Sequence, residues 1–131
     1  MTYQPPERLN IADHFLDARV REGRGDRPAL RTEAGDLSYA GVQGLANRYA
    51  NVLAAGAEPE ERVMIALPDG AAFVGAWFGT IKRGAVVVMV NPGLPAAEIA
   101  QLLDYTRARV VVTHRDTAAA FREAAQREWF L

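Results

Sequence analysis

The chain contains no cysteine, so neither disulfides nor thiolate metal sites hold its fold together. Histidine is nearly as scarce, with His14 and His114 the only imidazoles, and lysine occurs once, at Lys82; the other 14 of the 15 basic residues are arginine. No charge of one sign prevails, because those 15 cations face 16 acidic residues for a formal net charge of −1. Without a basic stripe, nucleic-acid binding is not expected. No apolar run approaches the ~18 residues of a membrane-crossing helix. The first ten residues, polar and carrying Pro5 and Pro6, lack the basic-then-apolar order of a secretion signal. A cytoplasmic location without a membrane partner is the expectation.

A phosphate-binding glycine loop is also missing. Such a loop sets closely spaced glycines between a strand and a helix N-terminus, where backbone amides and the helix dipole meet the anion. The strand-to-helix turns here read Pro68-Asp69-Gly70, Asn91-Pro92-Gly93 and His114-Arg115-Asp116. None has the G-x-G-x-x-G or Gly-Lys-Ser/Thr pattern, and Asp69 puts a carboxylate where a phosphate belongs.

What is present is 131 residues, half of them hydrophobic, enough for one compact domain of the usual ~100–150 residues. Asn10 is placed to cap a helix with Ile11, Phe15 and Leu16 on one face, Ala18 beside them and Gly23 as its end. Ala29–Thr32 and Asp36–Tyr39 read as a hairpin around Ala34-Gly35. Ser38 can cap a second helix whose Val42, Leu45, Ala46, Tyr49, Val52 and Leu53 follow a 3.6-residue period, with Gly56 as stop.

Beyond residue 60 the pattern changes to apolar runs separated by helices. Val63–Leu67 is continuously apolar, as in a strand covered on both faces. Asp69 is expected to cap the next helix, which carries Phe73, Val74, Trp77, Phe78 and Ile81 and ends at Gly84. Ala85–Val90 reads as a second buried strand, Asn91-Pro92-Gly93 as a turn and Pro95 as a first helical residue. Ile99, Leu102 and Leu103 give that helix its buried side, and Val110–Val112 form a third buried strand. A last helix from Asp116 presents Phe121, Ala125 and Trp129. Alternating strands and helices imply an α/β fold: a Rossmann-like parallel sheet flanked by helices, preceded by an N-terminal helix and a short hairpin. Residues 1–9 read as a flexible segment and 10–131 as one structural unit.

Few residues suggest chemistry. His114 ends a strand, where sites of open α/β sheets gather, but its near neighbours are Arg115 and Asp116, the latter better read as a helix cap; a structural or solvent-facing His114 is expected, as is an exposed His14. Arg24-Gly25-Asp26 spells an adhesion tripeptide, yet reads as a helix-ending loop. The aromatic stripe Phe73, Trp77, Phe78 has the spacing of core packing. Lys82 reads as a solvated cation favoured by a helix C-terminus. No catalytic, cofactor-binding or metal-ligating residue is assigned.

Taken in order, several stretches resemble the amino-terminal portion of the adenylate-forming superfamily of acyl- and aryl-CoA ligases. Asn10-Ile11-Ala12-Asp13 with Phe15 and Leu16 is similar to the opening of benzoate-type CoA ligases. Asp26-Arg27-Pro28-Ala29-Leu30 resembles the family's first strand, and Leu37-Ser38-Tyr39 its turn into the first long helix, where Asn47 also matches. Glu61-Arg62-Val63 and Leu67-Pro68 stand where the family has Gly-Asp-Arg-Val and Leu-Pro-Asn. Lys82-Arg83-Gly84-Ala85 through Asn91-Pro92 resembles its Lys-Ala-Gly-Ala strand ending in Pro-hydrophobic-Asn-Pro. Arg83, Met89 and Asp69 depart from the usual residues, and Gly93 stands where some members carry an Arg that meets CoA. The collinearity covers residues 8 to 127.

The resemblance implies part of the N-terminal domain of an enzyme that joins a carboxylic acid to AMP with release of pyrophosphate and passes the acyl group to a thiol, with aryl or medium acyl acids favoured. It implies ATP, Mg and CoA for the complete enzyme. The family's Ser/Thr/Gly-rich loop, ribose-binding Asp and catalytic Lys have no counterpart among these residues, so the chain alone is expected to bind none of them and not to catalyse. Its expected partners are the remainder of the ligase and the acid substrate. The apolar Trp129-Phe130-Leu131 calls for a covering surface or a homodimer. Two other readings stay open: a stand-alone interaction module that kept the scaffold, and a small Rossmann-like nucleotide-binding domain.

Overall fold

A computed structural model describes residues 2–126. Its frame is a parallel sheet of β3 (Arg62–Ala66), β4 (Val86–Met89) and β5 (Val110–Thr113), with β3 in the middle. The side chains of Val63, Met64, Ile65 and Ala66 are all fully buried, because alternate residues point to opposite faces and both faces are covered. Val63 and Ile65 meet the helices α1 (Tyr39–Leu53) and α2 (Ala71–Lys82), while Met64 and Ala66 meet α3 (Ala96–Thr106) and α4 (Ala118–Gln126). Helix α2 connects β3 to β4 across one face and α3 connects β4 to β5 across the other. This is the expected α/β architecture.

β1 (Pro28–Thr32) and β2 (Gly35–Ser38) form the expected antiparallel hairpin. With a helix spanning 11–24, it makes an outer layer over α1 and α2, where Leu16, Val42 and Ala46 are buried against Leu30, Leu37 and Phe78. Asn10 caps the outer helix as anticipated: its Oδ1 accepts from the amides of Ala12 and Asp13 at 2.9 and 3.3 Å. Ser38 caps α1 through Gly41 N–H at 3.1 Å. Gly23 leaves helical geometry at φ 81°, and Gly84 closes α2 at φ 71°, a conformation open to glycine at little cost.

Helices α1 and α2 make the largest contact between elements, and Gly75 and Gly79 permit it. A Cβ on Gly79 would lie 2.7 Å from Tyr49 Cβ and 2.8 Å from the Ala46 carbonyl oxygen. A Cβ on Gly75 would lie 2.6 Å from Leu45 Cγ. Two helix backbones therefore approach through a small-residue seam.

Several expectations need correction. On the outer helix Ala12 and Leu16 are buried while Ile11 and Phe15 are exposed; both pairs have four-residue spacing, so period alone does not choose between them. The helix also winds in i→i+5 turns over Asp13–Asp17 and Val20–Arg24, which shifts its stripe relative to an ordinary α-helix. Val52 is exposed, and Ala124 rather than Ala125 is buried in α4. Asp69 does not cap α2; Gly70 occupies that position without a side-chain bond. Pro95 precedes α3 as its extended cap residue instead of opening it. Strands β4 and β5 are edges and only partly covered. Trp129-Phe130-Leu131 lies outside the described residues, and the expectation about that terminus with it.

The seam gives a paired prediction. Gly79→Ala costs about 1–2 kcal/mol net, because overpacking of ~1–3 kcal/mol outweighs a helix-propensity gain of up to ~1 kcal/mol. Gly44→Ala, at an exposed position in α1 with nothing near its Cβ, stabilises by about 0.5–1 kcal/mol. Urea unfolding of the two variants reads both, and a stabilised Gly79→Ala contradicts the close approach.

Candidate functional site

In open α/β sheets, ligands bind outside the carboxyl ends of the strands. Here those ends carry Leu67-Pro68-Asp69-Gly70 after β3, Asn91-Pro92-Gly93 after β4 and His114 to Thr117 after β5. Asn91 Oδ1 accepts from Gly93 N–H at 2.8 Å, so its side chain shapes its own turn. Thr113 Oγ1 donates to the Ala66 carbonyl at 3.1 Å and lies 2.8 Å from Thr117 Oγ1. These hydroxyls tie β5 to β3 and to the start of α4.

His114 is solvent-facing, as anticipated, but Asp116 is not the helix cap it was expected to be. Its Oδ2 lies 3.2 Å from His114 Nδ1, and its own amide lies 3.3 Å from the same nitrogen. Nδ1 can donate to the carboxylate when protonated or accept from the amide when not, so the two bonds are alternatives. Both side chains are well exposed. The Thr113 and Thr117 hydroxyls nearby bond to main chain and to each other, so none is aimed at the imidazole as an activated nucleophile.

His14 is half-buried at the protein's other layer, with its ring edge-on to Phe15 at 4.8 Å and Tyr3 beside it at 5.4 Å. The Arg24-Gly25-Asp26 turn uses its backbone internally: the Gly25 carbonyl accepts from Ala40 N–H at 2.9 Å. The aromatic stripe is core, as expected, and splits between two clusters, Phe73 and Trp77 toward the sheet and Phe78 toward the outer layer. Among the described residues no group of three or more His, Asp or Glu is arranged to hold a metal ion. An open groove of about 780 Å³ runs between the hairpin tip and the start of α2, with Arg31, Glu33 and Asp69 on its walls. Its walls carry charges of both signs.

The chief surprise is Lys82. Its side chain is only 14% exposed, and Nζ donates at 2.6 Å to both Asp17 Oδ1 and Asn47 Oδ1. Gln43 Nε2 donates to the same Asp17 oxygen at 2.8 Å. The expected solvated cation is instead a node that joins the outer helix, α1 and α2. Asn10 adds a second tie by donating to the Ile81 carbonyl at 2.8 Å. The readable signal was the i, i+4 pair Gln43 and Asn47 on one face of α1, opposite the chain's single lysine. On the surface of the outer helix, Arg21 grips both oxygens of Asp13 at 2.7 and 3.1 Å, and this hydrogen bonding holds the Asp13 carboxyl below the usual aspartate range.

These polar groups tie the outer helix, α1 and α2 to one another. Comparison with known proteins supplies the family. The AMP-binding enzyme family matches residues 16–129. The chain belongs to that family. It is 34% identical over 122 residues to the 4-hydroxybenzoate–CoA/benzoate–CoA ligase of Rhodopseudomonas palustris, a match covering 92% of this chain and 23% of that protein. To the benzoate–CoA ligase of Thauera aromatica it is 30% identical over 118 residues, covering 88% of this chain and 22% of that protein. The crystal structure of a benzoate CoA ligase from Burkholderia xenovorans superposes with a TM-score of 0.82 at 26% identity, covering 92% of this chain and 24% of that one. The chain spans about a quarter of the length of these relatives. Within the described residues, the AMP-binding match covers the hairpin, the parallel sheet and α1 to α4.

Two predictions follow from these charges. Lys82→Met leaves Asp17 with one amide partner in a mostly buried site and costs about 1–3 kcal/mol, whereas Arg31→Met, removing a pair that is largely in solvent, costs less than about 0.5 kcal/mol. Chemical denaturation separates them, and equal costs contradict the node. For Asp13, a lowered folded-state pKa means that its contribution is present above the unfolded carboxyl pKa and disappears as pH falls through the folded one. Arg21→Ala therefore flattens the loss of stability on the acid side, measured by urea unfolding across that range.

Proposed function

We propose that this chain is the N-terminal scaffold of an AMP-forming acid-thiol ligase, one that joins a carboxylic acid to AMP and then transfers the acyl group to CoA or a carrier thiol. The observation that carries the reading is 34% identity across 92% of the chain to an aryl-CoA ligase. The structural likeness to a benzoate CoA ligase over the same share of the chain supports it. An aryl acid is favoured, with a medium acyl acid as the alternative substrate class, and the complete enzyme uses ATP, Mg and CoA in the cytoplasm.

The chain alone is inert in this reading. Adenylation requires preorganised positive charge and amide donors around the triphosphate. Lys82, the one lysine, is committed to Asp17 and Asn47, and the three strand-to-helix turns carry no phosphate cradle. Its partner is the remainder of the ligase, on the same or another polypeptide, and residues 10–131 form part of that ligase's N-terminal subdomain.

The reading predicts that the purified chain gives no benzoate-dependent exchange of pyrophosphate into ATP, while a single polypeptide joining it to the rest of a related aryl-CoA ligase does. Exchange by the chain alone sinks the scaffold assignment. No exchange by the joined polypeptide, folded and soluble, sinks the ligase assignment.

A further inference from the structure

We propose that Lys82 is a latent acylation site: its amine takes an acyl group from a mixed carboxylic–phosphoric anhydride only when the outer layer lifts off α1 and α2, and the acylated side chain then keeps that layer from docking again. The proposal rests on the ligase reading above for the source of such an anhydride, the acyl adenylate. The gating rests on this structure alone.

The chemistry singles out one residue. Acyl transfer to nitrogen needs an amine with a free electron pair, which the permanently protonated guanidinium of arginine does not offer. With 14 of the 15 basic residues arginine, Lys82 carries the one side-chain amine of the chain. While the outer layer is docked, that amine is closed to reaction. Its side chain is 14% exposed, and the ammonium donates at 2.6 Å to both Asp17 Oδ1 and Asn47 Oδ1. Those acceptors hold the charged form, whose electron pair is already engaged in an N–H bond.

The outer layer is attached in a way that lets it come away as a unit. Its hairpin shares no ladder with the parallel sheet. Among the described residues, the main-chain hydrogen bonds of residues 2–38 stay within the layer or reach only Tyr39 and Ala40 at the start of α1, which places the hinge there. Its apolar contact rests on Leu16, Val42 and Ala46, with Leu30, Leu37 and Phe78 partly buried beside them. The remaining ties are side chains: Lys82 and Gln43 on Asp17, and Asn10 on the Ile81 carbonyl. A segment with so few buried apolar contacts opens at lower free energy than a core strand such as β3.

In the open state the deprotonated amine attacks the acyl carbonyl. The C–N bond forms, the C–O bond to phosphate breaks, the phosphate leaves with that electron pair, and the amine proton passes to solvent. The product amide is neutral and larger. Returned to its corner it leaves Asp17 with Gln43 as its one partner and overfills the space between the helices, so the layer stays open.

The test treats the Arg31→Lys chain with benzoyl phosphate and follows each amine by peptide mass. Arg31 is 83% exposed, so this substitution sets a reference amine on the surface of the same molecule. Lys82 acylates at least about 10-fold more slowly than the reference, because it reacts only during openings. Adding Asn10→Ala, which removes a tie and a helix cap, raises the Lys82 rate about 5-fold and leaves the reference rate unchanged. In the acylated chain, amides of the outer helix exchange fast, as an undocked helix of that length does, while Met64 and Ile65 of β3 stay slow. Equal rates for the two amines, a Lys82 rate indifferent to Asn10→Ala, or exchange that quickens in β3 along with the outer helix overturns the proposal. Pyrophosphate exchange by the joined polypeptide reads the ligase assignment separately: exchange with equal amine rates sinks the latent site alone, and slow Lys82 acylation without exchange sinks the ligase assignment and, with it, the acyl adenylate as donor.

Discussion

Burial of β3 on both faces is the constraint from which the rest of the molecule follows. Four successive side chains, Val63 to Ala66, are removed from water, with the three larger ones contributing about 1.5–3 kcal/mol each. Parallel neighbours need crossovers, and the crossovers put helices on both faces, which is what covers β3 on each side. On the Val63 and Ile65 face α1 and α2 pack side by side with their backbones close together. Gly75 and Gly79 supply that approach against Leu45, Ala46 and Tyr49.

The outer layer solves a different problem. A helix and a hairpin lie over α1 and α2 with few large apolar residues between them, so polar groups finish the contact. Lys82 reaches Asp17 on the outer helix and Asn47 on α1, Gln43 holds the same carboxylate, and Asn10 bridges from its capping position to the Ile81 carbonyl. Taking an ammonium group largely out of water is unfavourable unless its hydrogens find acceptors. Two short bonds, one of them to a carboxylate, meet that demand. The compact ammonium at the last residue of α2 reaches both oxygens at once.

The fold class, the hairpin, both side-chain caps and the identity of β3 were legible in the sequence because each rests on local chemistry: Asn10 and Ser38 at helix starts, Ala34-Gly35 between two extended runs, five apolar residues before Pro68. The misreadings of burial fall where the deciding contact is distant in sequence. Ile11–Phe15 and Ala12–Leu16 have identical spacing, and only the neighbouring α1 selects the second. The Val-rich runs of β4 and β5 read as buried, yet among the described residues each is an edge of the sheet and only partly covered. Lys82 read as solvated because Asp17, 65 residues away, carries no local mark of its role. For the site, sequence alone already denied the turns a phosphate cradle, and geometry added that His114 and Asp116 meet in solvent without a nucleophile.

The proposed function amounts to a division of labour, in which this segment supplies a platform pinned by polar contacts and the charge-stabilising groups of the adenylation step belong to the rest of the ligase. The most direct measurement of that division is a calorimetric titration of Mg·ATP into the isolated chain. The account predicts no saturable heat up to about 1 mM, an affinity worth only ~4 kcal/mol. Saturable binding of one nucleotide per chain in the micromolar range contradicts it and would show that this platform holds a nucleotide site of its own.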